Sequence, residues 1–275
     1  MKAERHRLYF PRIFDPRGRR IVEISVLVEN VPGMIAKIAR AVAERGINIL
    51  WGVHHEADEP SFGWWCFFID ATDVDVEPLL ESIRQVEGVK RVYSSETVFG
   101  KLALDIHHAE QVFGEDRVIE LRQRWLVGAL NNIYEKWGED GRFLMYQLGY
   151  YGGYESCREW RERSDLEGRE LAELDLRVIE VLGWVRQAEL VEFDPDAGVA
   201  VVRTWGSFES VIERGRPSCH FMRGELAGFF SAMFGRGLYG TEVKCEAKGD
   251  QYCEFVIAPK PFEIGKGSSR EEGRG

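Results

Sequence analysis

The sequence has no long apolar run, few cysteines and no phosphate loop. Each absence removes a class of protein. No apolar stretch approaches the roughly 20 residues that span a bilayer as a helix. The N-terminus has no apolar core of the kind that marks a secretory signal. Five cysteines in 275 residues are too few for an extracellular disulfide scaffold. The expectation is a cytoplasmic protein. No Gly-rich phosphate loop, dinucleotide fingerprint or catalytic serine arrangement is present, so the chain reads as a non-enzyme. A net charge of −10 makes it a poor non-specific partner for nucleic acid and for anionic membranes. The first twenty residues run the other way, with seven Lys/Arg against two acids. This basic arm, 1–20, suits either a phosphate contact or a solvated terminal segment.

What is present is material for a core: 44% hydrophobic, 12% aromatic and 30% charged residues. From residue 21 the periodicity is clear. "IVEISVLVE" alternates, with Val22, Ile24, Val26 and Val28 on one face of a strand. A helix follows over "NVPGMIAKIARAVAERG", with Asn30 as cap, Pro32 at its start and Gly46 at its end. Its apolar stripe is Met34, Ile35, Ile38 and Val42. "INILWGVHHEA" and "FGWWCFFIDA" read as strands, "VEPLLESIRQVEG" as a helix and "VKRVYSSE" as a last strand. The order is βαββαβ, a ferredoxin-like split βαβ with both helices on one face of an antiparallel sheet. The histidine pairs His54–His55 and His107–His108 read as surface residues, since strand neighbours point to opposite faces.

"VENVPGMIAKIARAVAERGINI" resembles the start of an ACT domain, and the resemblance covers 21–97. It implies a regulatory module that pairs side by side and takes an amino acid at the loop containing Asn30 and Gly33. The family usually has Asp where Asn30 stands. Asn keeps a helix cap but loses the charge that would meet an ammonium group. Ligand binding and plain dimerisation are both open readings.

Residues 98–111 read as a connector. Beyond it, "EDRVIELRQRWLVGALNNIYEKWG" has helical spacing through Val118, Leu121, Trp125, Leu126 and Leu130. The helix continues through "RFLMYQLGYYGGYESCREW", with a bend expected near Gly149 or Gly152–Gly153. A helix over 171–186, two strands in 188–207, a helix from Cys219 and a β-hairpin complete the domain, 112–260. The polar tail, 261–275, reads as disordered. In "CHFMRGELAGFFSAMFG" a stripe of Gly224, Gly228, Ser231 and Gly235 lets something approach closely, either another element or a ligand.

The hairpin "EVKCEAKGDQYCEF" raises the chemical question. With a KGD loop, Cys245 lies across from Cys253, near enough to share a metal or to form a disulfide. Cys219 at a helix start can reach them. Glu242 sits three residues before Cys245, so it joins the same site only if the strand bulges. A zinc site, a Cys245–Cys253 disulfide and buried thiols all fit this spacing. "CHFMRGELAGFFSAMFGRGLYGTEVKCEAKGDQYCEF" resembles the 4-vinyl-reductase or hydrocarbon-binding domain, over about 112–259. That resemblance implies a TRAPP-like α/β fold with an antiparallel sheet and a zinc-stapled hairpin. It also implies a structural Zn²⁺ held by Cys219, Glu242, Cys245 and Cys253, as in phenol-responsive activators. Three thiolates, one carboxylate and Zn²⁺ sum to −2, a charge that Lys244 and Lys248, nearby in the sequence, either offset or leave alone by facing solvent. The overall class is therefore α+β. Aromatics are abundant in the second domain. Trp205, His220 and Tyr150 are the candidates for polar contacts to a small apolar or aromatic ligand. The expected whole is a homodimeric sensor that signals to a downstream protein. A vinyl-reductase-type factor in tetrapyrrole metabolism and a structural adaptor are the alternatives.

Overall fold

The computed structural model describes residues 12–108, 111–113, 116–212 and 215–261. Most of the basic arm (1–11) and nearly all of the tail (262–275) lie outside these residues. The chain divides into two compact units, split after Ile119. No described helix is long and apolar enough to cross a membrane.

The first unit opens with a short strand, Ile13–Phe14 (β1), then Ile21–Glu29 (β2), Met34–Ala43 (α1), Ile49–Glu56 (β3), Phe62–Asp70 (β4), Glu77–Arg84 (α2) and Val89–Glu96 (β5). Strands β3-β4-β2-β5 form one antiparallel sheet, the expected ferredoxin-like order. One face buries Val22, Ile24, Val26 and Val28 against Met34 and Ile38 of α1 and Leu79 and Ile83 of α2. Ile35 is exposed, so the α1 stripe is narrower than the sequence suggests. Asn30 does not cap α1. The cap position falls on Gly33 (φ 92°), and the Asn30 amide donates to Glu56 and to the Pro60 carbonyl.

Glu23, Ser25, Cys66 and Phe68, on the opposite face, are also buried. The stretch read as a connector folds back over that face. Val98–Phe99 (β6) and Leu102–Leu104 (β7) form a hairpin whose turn uses Gly100 in the left-handed region. β7 pairs with β1, and Ile21, Phe68 and Ala103 close a second, smaller core. Strands of two or three residues carry no legible periodicity, which is why the sequence reads them as connector. Gln111–Phe113 (β8) and Asp116–Val118 (β9) pair with each other. Val118 is thus in a strand rather than at the start of the long helix.

The second unit holds Gln123–Ser164 (α3), Gly168–Val181 (α4), Gln187–Asp194 (β10), Val199–Trp205 (β11), His220–Phe234 (α5), Tyr239–Lys244 (β12) and Cys253–Ala258 (β13). The antiparallel sheet runs β10-β11-β13-β12. Its core includes Leu171, Leu176, Val202, Leu226, Phe229, Phe230 and Phe255. α3 breaks at Gly138 (φ 54°, ψ −127°), not at the later glycines. Those later glycines serve packing instead. A Cβ on Gly149 or Gly153 would strike backbone of Phe221 or Glu225, and a Cβ on Gly224 or Gly228 would strike backbone of Tyr146 or Tyr150. The Gly224 and Gly228 part of the α5 stripe is therefore filled by α3, whose own glycines reciprocate, while Gly235 has open space beside it. Only residues without Cβ permit such main-chain contact. On α3, Leu144, Leu148 and Tyr151 recur at helical spacing and are exposed.

Candidate metal centre

Two elements and a turn converge at the start of α5. Cys219 sits at the helix N-cap position, Glu242 on β12, Cys245 just past β12 and Cys253 at the start of β13. Glu242 reaches this side because β12 does bulge. Glu242 pairs with Phe255 but Lys244 pairs with Glu254, a one-residue shift. That shift turns an odd offset into a shared face. The hairpin loop is longer than the KGD turn read from sequence. It spans Cys245 to Tyr252 and contains a short 3-10 turn, Glu246–Lys248, closed by Gly249 at φ 100°.

All four side chains are buried, at 4% exposure or less. Their ligand atoms lie within 4.8 Å of one another. The Sγ atoms of Cys219 and Cys253 are 3.6 Å apart, and those of Cys253 and Cys245 are 4.0 Å apart. Sulfurs around a tetrahedral zinc with Zn–S bonds near 2.3 Å stand roughly 3.8 Å apart. All five cysteines are free thiols, so no Cys245–Cys253 disulfide is formed. Glu242 Oε2 accepts the Cys219 N–H at 3.1 Å, while its Oε1 is buried without a partner. Three thiols, one orphaned carboxylate oxygen and this spacing fit a four-coordinate ion of the zinc type.

The protonation pattern reflects acids crowded without a counter-charge. Burial pushes the Glu242 carboxyl up to about 9, and neighbouring Cys245 adds to the effect. Bonds from Cys245 and Cys253, with burial, keep the Cys219 proton on. Cys245, receiving those contacts, is held well below the usual thiol range. Lys244 does not compensate, since its ammonium turns to Tyr252 and Glu254, and Lys248 is exposed. One backbone dipole faces the cluster: Glu246 N–H points to Cys253 Sγ at 3.4 Å, whereas the Cys245 N–H is donated to the Asp250 carboxylate at 2.8 Å.

One support escapes sequence reasoning. Glu209 is fully buried and accepts the N–H groups of Phe221 and Met222, both at 2.9 Å, satisfying the first turn of α5. Its backbone carbonyl accepts the Ser218 hydroxyl. Glu209 fixes the helix end that carries Cys219. No spacing in the sequence ties Glu209 to Cys219, because the loop between them carries no period.

The aromatic candidates pack in separate places. Trp205 lies on Tyr252, His220 edge-on to Tyr134, and Tyr150 beside Tyr146 and Tyr151. His220 is nearly buried at the start of α5, and Trp205 and Tyr150 are half-buried. Asn30 and Gly33 lie together on the β2–α1 loop of the first unit.

Comparison with known proteins agrees with this architecture. Residues 22–88 match the model of the ACT domain, and residues 208–259 match that of the 4-vinyl-reductase domain. The chain thus carries an ACT domain followed by a 4-vinyl-reductase domain. An uncharacterized protein of Methanocaldococcus jannaschii is 26% identical over 114 residues, 42% of this chain and 62% of that protein. The chain therefore spans less than two thirds of that curated relative. Among solved structures, the phenol-responsive sensory domain of the transcription activator PoxR, bound to phenol, aligns at TM-score 0.48. It is 21% identical, over 54% of this chain and 79% of that one. A vinyl-4-reductase family protein from Methanocaldococcus jannaschii aligns at TM-score 0.36, 15% identical, over 51% of this chain and 82% of that one.

Proposed function

We propose that the chain is a ligand-responsive regulatory protein, not an enzyme. Its 4-vinyl-reductase unit takes a small apolar or aromatic molecule beside a structural Zn²⁺ bound by Cys219, Glu242, Cys245 and Cys253. The observation that carries this reading is the closed, buried set of three sulfurs and one orphaned carboxylate oxygen at tetrahedral spacing. Four protein donors fill a tetrahedral ion and leave no open position for water or substrate, so the metal acts as a staple. It ties the start of α5 to the hairpin β12–β13.

The ACT unit serves as the pairing module of a homodimer, with amino-acid binding at the Asn30–Gly33 loop as its ligand-taking mode. Both domain matches support a regulatory role, and the bare row Leu144, Leu148 and Tyr151 on α3 supports a second protein surface. Of the separately packed Trp205, His220 and Tyr150, His220 at the start of α5 is the proposed polar contact for the ligand of the second unit. Ligand binding reaches a downstream partner only by favouring one of two arrangements of the protein.

The test joins metal analysis to a thermal-shift screen of apolar aromatics and amino acids. One zinc per chain removable only by denaturing chelation, and a melting temperature that rises with ligand concentration, are expected. A metal-free protein of unchanged stability with no responding ligand would overturn the reading.

A further inference from the structure

The ACT unit carries a second donor cluster, on the sheet face away from α1 and α2. Pairing in the sheet puts Ser25 beside Cys66 and Tyr93, and Glu23 beside Phe68 and Ser95. The segment after β7 folds onto this face. Glu23 Oε2 accepts the Ile106 N–H at 3.0 Å, and Ser95 Oγ lies 2.8 Å from His107 Nε2. His108 Nδ1 lies 2.8 and 3.0 Å from the Asp105 oxygens, and Asp105 also accepts the His108 N–H. A cleft of about 680 Å³ opens beside these groups, lined by Ser25, His55, Cys66, Tyr93, His107 and His108 among others.

Two observations point to an occupant. One oxygen each from Glu23 and Asp105 and one ring nitrogen of His108 lie within 4.8 Å of one another. Independently, Glu23 is 0% exposed and its Oε1 has no hydrogen-bond partner. A buried carboxylate oxygen facing a second carboxylate calls for a positive group between them, either a shared proton or a cation. Arg12 is at hand, with its Nε 3.5 Å from Asp105 Oδ2 and a second nitrogen on the His108 carbonyl. Its contact is with Asp105, and the His108 Nδ1 also turns to Asp105, so Glu23 Oε1 faces its carboxylate neighbour with no donor of its own. Two carboxylate oxygens and one imidazole make a mixed donor set that suits first-row divalent ions such as Mn²⁺ or Zn²⁺. Three donors leave coordination positions for water or a small ligand.

We propose that Glu23, Asp105 and His108 bind a divalent metal ion beside the cleft on the face of the ACT sheet away from α1 and α2. This site is separate from the Asn30–Gly33 loop and from the thiol cluster. Mn²⁺ is the probe, because carboxylate-rich sites suit it and thiolate sites do not. The full chain, its thiol cluster saturated with Zn²⁺, is dialysed against Mn²⁺ alone and the bound Mn²⁺ counted by paramagnetic resonance. One Mn²⁺ per chain is expected. Glu23→Gln and Asp105→Asn should each weaken it by at least about tenfold, while His54→Gln, on the other face of β3, leaves it unchanged. Absence of Mn²⁺ uptake by the wild type, or uptake by both carboxylate variants equal to it, overturns the site and leaves a proton between the acids. Should Glu23→Gln fail to fold, Asp105→Asn decides alone, because Asp105 lies outside the strands.

Discussion

The two units bury donor clusters of opposite chemical character. In the 4-vinyl-reductase unit three sulfurs and a carboxylate converge from one helix start and one hairpin. In the ACT unit two carboxylates and an imidazole converge from the sheet and the loop that covers it. The soft cluster is assembled by one continuous stretch, 219–253, and its spacing is visible in the chain. The mixed cluster joins Glu23 to a loop whose Ile106 lies 83 residues further on, and has no spacing to read. A site built from one supersecondary unit leaves a sequence signature, whereas one built by a returning loop does not.

The largest effect should separate the clusters by their dependence on metal. Cys219→Ser is expected to destabilise the 4-vinyl-reductase unit by at least ~4 kcal/mol, the range of a lost structural metal site. A chelator in denaturant should lower the wild type to the same point and leave the variant unmoved. Guanidinium unfolding with and without chelator measures both. Next comes the α3–α5 contact. Gly228→Ala should cost at least ~3 kcal/mol, since its Cβ meets the Tyr150 carbonyl and main chain cannot step aside cheaply. Gly237→Ala, with open space around it, is the control.

A third test concerns the buried acid pair Asp175 and Glu225, at 2% and 1% exposure. Burial raises Asp175 from 3.8 to about 7, and the folded state therefore holds its proton longer than the unfolded chain. Stability is then fully present below about pH 4 and lost as pH rises through 7. Asp175→Asn keeps an acceptor for Trp160 Nε1, now at 3.1 Å from Asp175, and should stabilise by roughly 2–4 kcal/mol at pH 8 but little at pH 4. Melting temperature against pH reads it. The smallest effect tests ordinary packing in the ACT core. Ile38→Val, fully buried between α1 and the sheet, should cost ~1 kcal/mol with no dependence on metal or pH.

How much was legible follows the same line. The alternation of Val22, Ile24, Val26 and Val28 and the stripes of α1 and α2 place the first sheet and its helices, because period and burial coincide there. Hairpin geometry made the approach of Cys245 to Cys253 legible, and the resemblance to the hydrocarbon-binding domain supplied Cys219 and Glu242 as their partners; the structure brings all four together. Even the need for a bulge before Cys245 followed from strand parity, and β12 has one. The reading failed where elements are short or tertiary contacts override local signals. Strands β6 and β7 hold two and three residues. Gly149 looked like a bend but supports helix contact, while Gly138 makes the break. His55, His107 and His108 read as scattered surface residues, yet they line one cleft, since no periodicity links a strand to a distant loop.

The main-chain contact of α3 with α5 has a mechanical consequence. Side chains that interdigitate can repack and absorb a small slip, but two backbones touching at four glycines cannot. α5 is anchored at one end by Cys219 and Glu209, so any shift of that anchor must drag α3 along as one stiff beam. That beam ends at Gly138, where the helical path of α3 is broken.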